Sequence, residues 1–270
     1  MTREAGVLAS RLIAWETLLR VPGSDEAFLS DWATVAAEVR GLASSRSVCN
    51  LLESEEGRRY QGRLAPFQRR HLLHAERAEA AELLRTPRAV DGSFGDLVQS
   101  AFALNTFDRL EETARLVDLG GCRRVVIVGC GALPAAAFFF HERTQAFRIT
   151  ALDVDRGAAD LARLVTQRHG SERLGILCQD GRDHDYEGAD VVYVVNQVKP
   201  KRDVLQRIAA TAPPAVRVVL RDPFGPGRLL ADSVDGPLPP PWRLVATGAV
   251  DPNFFSRHLL LSRLHHGADD

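Results

Sequence analysis

Two glycines and one aspartate are the residues best placed to do chemistry. Val125-Val126-Ile127-Val128 is an unbroken β-branched run, and Gly129-Cys130-Gly131 follows it at once. Glycines in that place let the chain turn tightly and bring its backbone close to a ligand. Pro134 suits the first turn of a helix, whose unbonded N–H groups face the same space. Asp153 stands 22 residues after Gly131, at the end of the next strand-like stretch. A carboxylate at that spacing accepts hydrogen bonds from a ribose diol. A lone G-x-G says little, but joined to the acid it predicts a nucleoside-binding crevice. The alternative is a structural turn with a solvated acid.

The loop Gly129-Cys130-Gly131-Ala132-Leu133-Pro134 lacks the third glycine of a dinucleotide fingerprint, and the chain has no Walker lysine. The arrangement resembles the class I S-adenosylmethionine-dependent transferases, where such a loop faces the methionine part of the co-substrate. Asp180-Gly181 ends the third strand, and the resemblance places Asp180 like the residue that hydrogen-bonds the adenine amine. A helix cap is the other reading of Asp180. More narrowly, Val128 to Pro134 resembles the G-[SC]-G-x-L-P loop of the nicotianamine synthase family. Leu152-Asp153-Val154-Asp155, followed by Ala158, Ala159 and Leu161-Ala162, is similar to that family's D-x-D stretch and helix. Leu110-Glu111-Glu112 is similar to its acidic helix ahead of the first strand. The similarity covers residues 93–265, whereas residues 1–88 match only in being helical.

This resemblance implies transfer of the 3-amino-3-carboxypropyl group of S-adenosylmethionine, rather than its methyl, with release of methylthioadenosine. Relatives in opine-metallophore pathways use histidine as acceptor. A related group instead closes the co-substrate's own amine onto its γ-carbon to give azetidine-2-carboxylate. A plain small-molecule methyltransferase on the same fold is a further alternative, as is an accessory nucleoside-binding protein. All three carbons on a sulfonium are electrophilic, so positioning selects the product. The co-substrate-binding set expected is Gly129, Gly131, Ala132, Leu133, Pro134, Asp153, Asp155, Asp180, Gly181 and Asn196, with no metal. The catalytic set expected is Tyr193 and Asn196 at the fourth strand's end, with Glu111. The resemblance offers Glu111 either as the base that keeps the attacking amine unprotonated or as a group that binds an amine, and otherwise it reads as a surface helical glutamate. Tyr193 as core and Asn196 as a turn residue are the alternatives.

The elements that must position these residues follow from periodicity. Residues 11–19 and 27–42 carry apolar residues three and four apart, as helices do. Further helices are expected over Pro66–Arg85, from Asp91-Gly92-Ser93 onward, and over Thr106–Leu119. From Arg123 the pattern changes to short β-branched runs, each followed by a helix or a turn. Strands are expected at 125–128, 147–152, 174–178, 190–195, 216–220, 242–248 and 258–263, with helices from Pro134, over Ala158–His169 and over 202–211. Alternating strands and helices imply a doubly wound α/β sheet of the Rossmann-like methyltransferase class. We therefore expect residues 1–120 as a helical region acting as a lid, and residues 121–270 as the S-adenosylmethionine-binding domain.

Composition narrows the partners. The 270 residues are 45% hydrophobic, with 34 Lys+Arg against 35 Asp+Glu, which gives no reason to expect a nucleic-acid binder. No stretch approaches the about 20 consecutive apolar residues of a membrane span. The N-terminus has no basic stretch followed by an apolar run, so a cytoplasmic protein is expected. Four cysteines without C-x-x-C spacing, and His71 and His74 without a third nearby ligand, make no metal site. The expected partner is a small-molecule substrate, and a homodimer stays open.

Overall fold

In a computed structural model of the chain, residues 50–51, 53–85, 101–146, 148–169, 172–234, 236–251 and 256–264 are described, with positions 6, 7, 10, 13 and 14. The helices expected over 11–42 lie outside the described residues except for Ile13 and Ala14, and so do the 91–93 segment and His265-His266.

The chain divides into two compact units. Residues 1–72, 223–233 and 250–256 form one, and residues 73–222, 234–249 and 257–270 form the other. Helix α1 (Glu55–Arg85) contributes to both and runs straight through Pro66, where the sequence reading had begun it. A proline inside a helix forfeits one hydrogen bond, and a helix this long absorbs that loss. In the first unit Tyr60 and Leu64 are buried, and Gln61 Nε2 donates to the Ala231 carbonyl at 3.1 Å. A 3-10 turn, Gly225–Leu229, belongs to the same unit. The 120/121 division expected from the pattern change is not where the units part, because residues 73–85 and helix α2 (Ala101–Leu116) belong with the sheet.

The second unit is built on the sheet. Its strands are β1 (Arg124–Val128), β2 (Arg148–Asp153), β3 (Leu174–Cys178), β4 (Val191–Val194), β5 (Arg217–Pro223), β6 (Trp242–Asp251) and β7 (Ser256–Arg263), of which β5, β6 and β7 each reach the first unit at one end. They lie in the order β3-β2-β1-β4-β5-β7-β6. The first five are parallel. Leu264 N–H donates to the Pro241 carbonyl and Arg243 Nε to the Ser262 hydroxyl, so β6 and β7 run in opposite directions. Helices α3 (Ala135–Arg143), α4 (Arg156–His169) and α5 (Lys201–Thr211) follow β1, β2 and β4.

The β-branched runs serve both faces of the sheet. Val125 and Ile127 enter one core with Val191 and Tyr193, while Val126 and Val128 enter the other with Val192 and Val194. That alternation is the period of a strand, and burial on both faces is why residues 125–128 and 191–194 carry no charged side chain. The strand order reverses between β1 and β4, and the carboxyl edge at such a reversal is where sheets of this kind hold their ligands. Helix α3 is fixed against the first core by Phe138, Phe139 and Phe140, all essentially fully buried. Phe139 meets Phe107 and Phe140 edge-on at 5.7 Å. Phe139→Ala should destabilise the protein by about 3–5 kcal/mol, since the cavity adds to the lost transfer energy. Denaturant unfolding checks this, and a loss below about 1 kcal/mol would mean that the site collapses freely.

Candidate active site

The chain leaving β1 turns back over the end of β2. The N–H groups of Gly129 and Cys130 both donate to the Leu152 carbonyl, at 2.8 and 2.9 Å. Gly129 has φ +87° and Gly131 φ +66°, left-handed conformations that side chains rarely adopt. A Cβ at Gly129 would lie 2.6 Å from Val195 Cγ2, so the loops after β1 and β4 meet at the strand-order reversal.

Asp153 closes the turn. Its Oδ2 accepts the Gly131 N–H at 2.8 Å and its Oδ1 accepts the Asp155 N–H at 2.9 Å. Each oxygen of a carboxylate can accept a second bond, so the brace is compatible with a diol on the outer side. Ala132, Leu133 and Pro134 continue the loop, with Ala132 and Leu133 buried. No side chain caps α3, which begins directly after Pro134.

Glu76, on the part of α1 that belongs to the sheet unit, went unremarked in the sequence and is the principal acidic group of the loop. Its Oε2 accepts the Ala132 N–H at 2.9 Å. A Cβ at Gly131 would stand 1.9 Å from that oxygen, so the glycine makes room for the carboxylate. The residue is half-buried. Burial first, then the nearby Asp153 and Glu79 charges, push its pKa up to about 8, against the lowering effect of the Ala132 hydrogen bond. The segment reads Ala75-Glu76-Arg77-Ala78-Glu79, an ordinary solvated helix face, and no local signal singles out Glu76.

Other expected residues have different placements. Asp155 caps α4, accepting the Ala158 N–H at 2.8 Å, and it pairs with Arg77 at 3.1 Å. Asp180 accepts the Arg182 N–H at 2.8 Å and pairs with the Arg182 guanidinium at 2.7 Å, whose hydrogen bonds hold its pKa below the usual carboxylate value. Gly181 is buried, and its carbonyl accepts the Tyr186 hydroxyl at 2.8 Å. Asn196 follows β4 and is 8% exposed, with a buried Oδ1 that has no hydrogen-bond partner among the described residues. The Asn196 carbonyl accepts from the fully buried Lys201 Nζ at 2.8 Å. Tyr193 is buried, with its hydroxyl 3.3 Å from His258 Nε2.

The expectation that Glu111 is the base needs correction. Its carboxylate is engaged by Arg143 Nε at 2.9 Å and by Arg143 Nη2, at the far end of α3. At 1.5 Å per residue, that end lies about 12 Å along the helix from the loop. Cys130 is buried, and its thiol pKa is raised first by that burial and then by the Asp153 and Glu76 charges, which disfavours the thiolate. Among the described residues no His, Cys, Asp or Glu cluster suits a metal, and no helix is long and apolar enough to cross a membrane.

No protein-family model and no curated protein matches the sequence. The fold matches solved structures of MtNAS with a TM-score of 0.75 at 18% identity, covering 93% of this chain and 98% of MtNAS. One of these is bound to MTA and tNA. A variant in which one glutamate is replaced by glutamine was solved with S-adenosylmethionine and matches at a TM-score of 0.73. At this identity the likeness establishes a class I methyltransferase-like α/β fold.

Glu76 carries a stability signature. Its pKa is pushed up to about 8 in the folded chain from the ordinary glutamate value of 4.5. The folded state therefore holds the proton more tightly, and the resulting stability is complete at low pH and lost as pH rises through about 8. Glu76→Gln should remove that dependence. Thermal melts from about pH 5 to pH 9 should show wild type losing more Tm than the variant, and parallel curves would show that Glu76 titrates normally.

Proposed function

We propose that the protein is an S-adenosylmethionine-dependent transferase of the nicotianamine synthase kind. In this reading it moves the 3-amino-3-carboxypropyl group to an amino-acid amine and releases methylthioadenosine. Glu76 carries the reading: a proton-accepting carboxylate, sheltered from water, on the same loop that would hold the methionine part. The fold shared with MtNAS supports it, and so does the buried Oδ1 of Asn196, an acceptor suited to a substrate amine. Asp153 would take the ribose diol and Asp180 the adenine amine, while Gly129 to Pro134 would lie along the methionine part. S-adenosylmethionine supplies a sulfonium whose γ-carbon is open to displacement by an amine lone pair. The Cγ–S electron pair leaves with the thioether, and the new C–N bond leaves an ammonium.

Glu76 takes the proton from the amine. It is protonated near neutrality in the unliganded chain, and a neighbouring cation lowers its pKa so that it can act as a base. Tyr193 would then be a positioning residue, since its hydroxyl is committed to His258. Transfer to an acceptor and closure to azetidine-2-carboxylate share this machinery and differ in which amine reaches the γ-carbon.

Incubation with S-adenosylmethionine, with and without L-histidine, separates the readings by mass spectrometry. Methylthioadenosine should appear, and S-adenosylhomocysteine in its place would leave a methyltransferase. Glu76→Gln should slow turnover by about 10²–10⁴-fold and abolish the acid limb of the pH–rate profile. Asp153→Ala should weaken methylthioadenosine binding by about ten- to a hundredfold, since a buried polar partner loses its bond. Unchanged affinity in calorimetry would remove Asp153 from the site.

A further inference from the structure

Two neighbouring residues of α1 touch two different loops of the sheet. Glu76 Oε2 accepts the Ala132 N–H at 2.9 Å, on the loop after β1. Arg77 Nη2 donates to Asp155 Oδ1 at 3.1 Å, on the turn after β2. Asp153 joins those two loops, accepting the Gly131 N–H at 2.8 Å and the Asp155 N–H at 2.9 Å. The chain itself links residue 76 to 77 and residue 131 to 132, so the four bonds close into a ring. One turn of α1 is thereby pinned at two points to loops that are pinned to each other. Every member of the ring belongs to the sheet unit.

Both contacts of α1 occupy room left by a missing side chain. The Cβ that Gly131 lacks would collide with the Glu76 carboxylate. The Cβ that Gly157 lacks would lie 3.1 Å from Arg77 Nη2 and 3.3 Å from Asp155 Oδ1. Asp155 Oδ1 also accepts the Ala158 N–H at 2.8 Å, so Arg77 pairs with an acceptor that the first turn of α4 holds still. Successive residues of a helix point about 100° apart. A single hydrogen bond at Glu76 leaves the helix free to turn about that point, and a second bond from the next residue sets the rotation. Ala80 and Leu83 anchor α1 in the core farther along, and Arg77 is the polar anchor at the level of Glu76.

We propose that Arg77 is the positioning residue of Glu76: its ion pair with Asp155 fixes the rotation of α1 that keeps the Glu76 carboxylate on the Ala132 N–H. This deepens the transferase reading, in which Glu76 takes the proton from the amine, and rests on it for the effect on turnover. The Arg77–Asp155 pair is half-exposed, so it adds little to global stability, and its removal tests the seat of Glu76 rather than the fold. The groups facing the Glu76 carboxyl are Asp153 at the end of β2, Glu79 on α1 and the Cys130 thiol of the loop.

Melts of the unliganded full chain test the seat without any turnover. In the wild type Tm should fall as pH rises through about 8, where the folded chain gives up the Glu76 proton. Arg77→Gln should release the carboxylate to water, return its pKa toward the ordinary value and flatten the curve between about pH 5 and pH 9. Arg77→Lys keeps a charged donor for Asp155 and should retain most of the wild-type slope, which provides the folded control. A uniform drop in Tm with the slope unchanged would make Arg77 merely structural and overturn the proposal. So would a steeper slope, which is what loss of a nearby positive charge alone would give. In turnover, Arg77→Gln should lower kcat by about 10²-fold with KM for S-adenosylmethionine unchanged, as a displaced base does. A raised KM with kcat unchanged would instead assign the pair to binding and overturn the proposal. Wild-type protein that releases no methylthioadenosine would overturn the transferase reading, and the melts would still decide whether Arg77 seats Glu76.

Discussion

A carboxylate at the end of a buried strand must find donors, and in this chain Asp153 finds them in two backbone N–H groups, those of Gly131 and Asp155. Those two bonds tie the loop after β1 to the turn after β2. Leu152 adds a third tie by accepting from both Gly129 and Cys130. The loop is thus shaped by the protein before any ligand arrives, and its positive-φ glycines are the conformational cost of that shape. The two apolar cores on either side of the sheet keep β1 and β2 from shifting relative to one another, so the ties need no help from a ligand.

Placing a second carboxylate on the same loop raises an electrostatic problem. Asp153 and Glu76 repel, and Glu76, whose burial already favours its neutral form, keeps its proton. The loop itself has neither the third glycine nor the lysine of phosphate-binding motifs.

The sheet was readable because its determinants are local. Val125–Val128 has the unbroken β-branched run expected of a doubly buried strand, and β3 was expected at 174–178 as it stands. The loop was readable because glycine at 129 and 131 and aspartate at 153 have few other uses at that spacing. What stayed hidden depends on tertiary partners. Glu76 looks like any glutamate of a charged helix until α1 is laid against Ala132. Glu111 looked like a better base, but Arg143 claims it. His258 comes from a closing strand that carries no motif, and only the fold brings it to Tyr193. The long reach of α1 was also missed, because Pro66 reads as a start signal and the helix runs through it.

The close approach of Gly131 to Glu76 ties two positions 55 residues apart into one unit of sequence drift. With glutamate at 76, any side chain at 131 collides with a carboxylate oxygen. With glutamate gone, the collision goes too, and residues such as asparagine that tolerate a left-handed backbone become admissible at 131. A descendant that abandoned the chemistry while keeping the fold would be free to fill this gap, and the pairing of residues 76 and 131 in any such chain would register the loss.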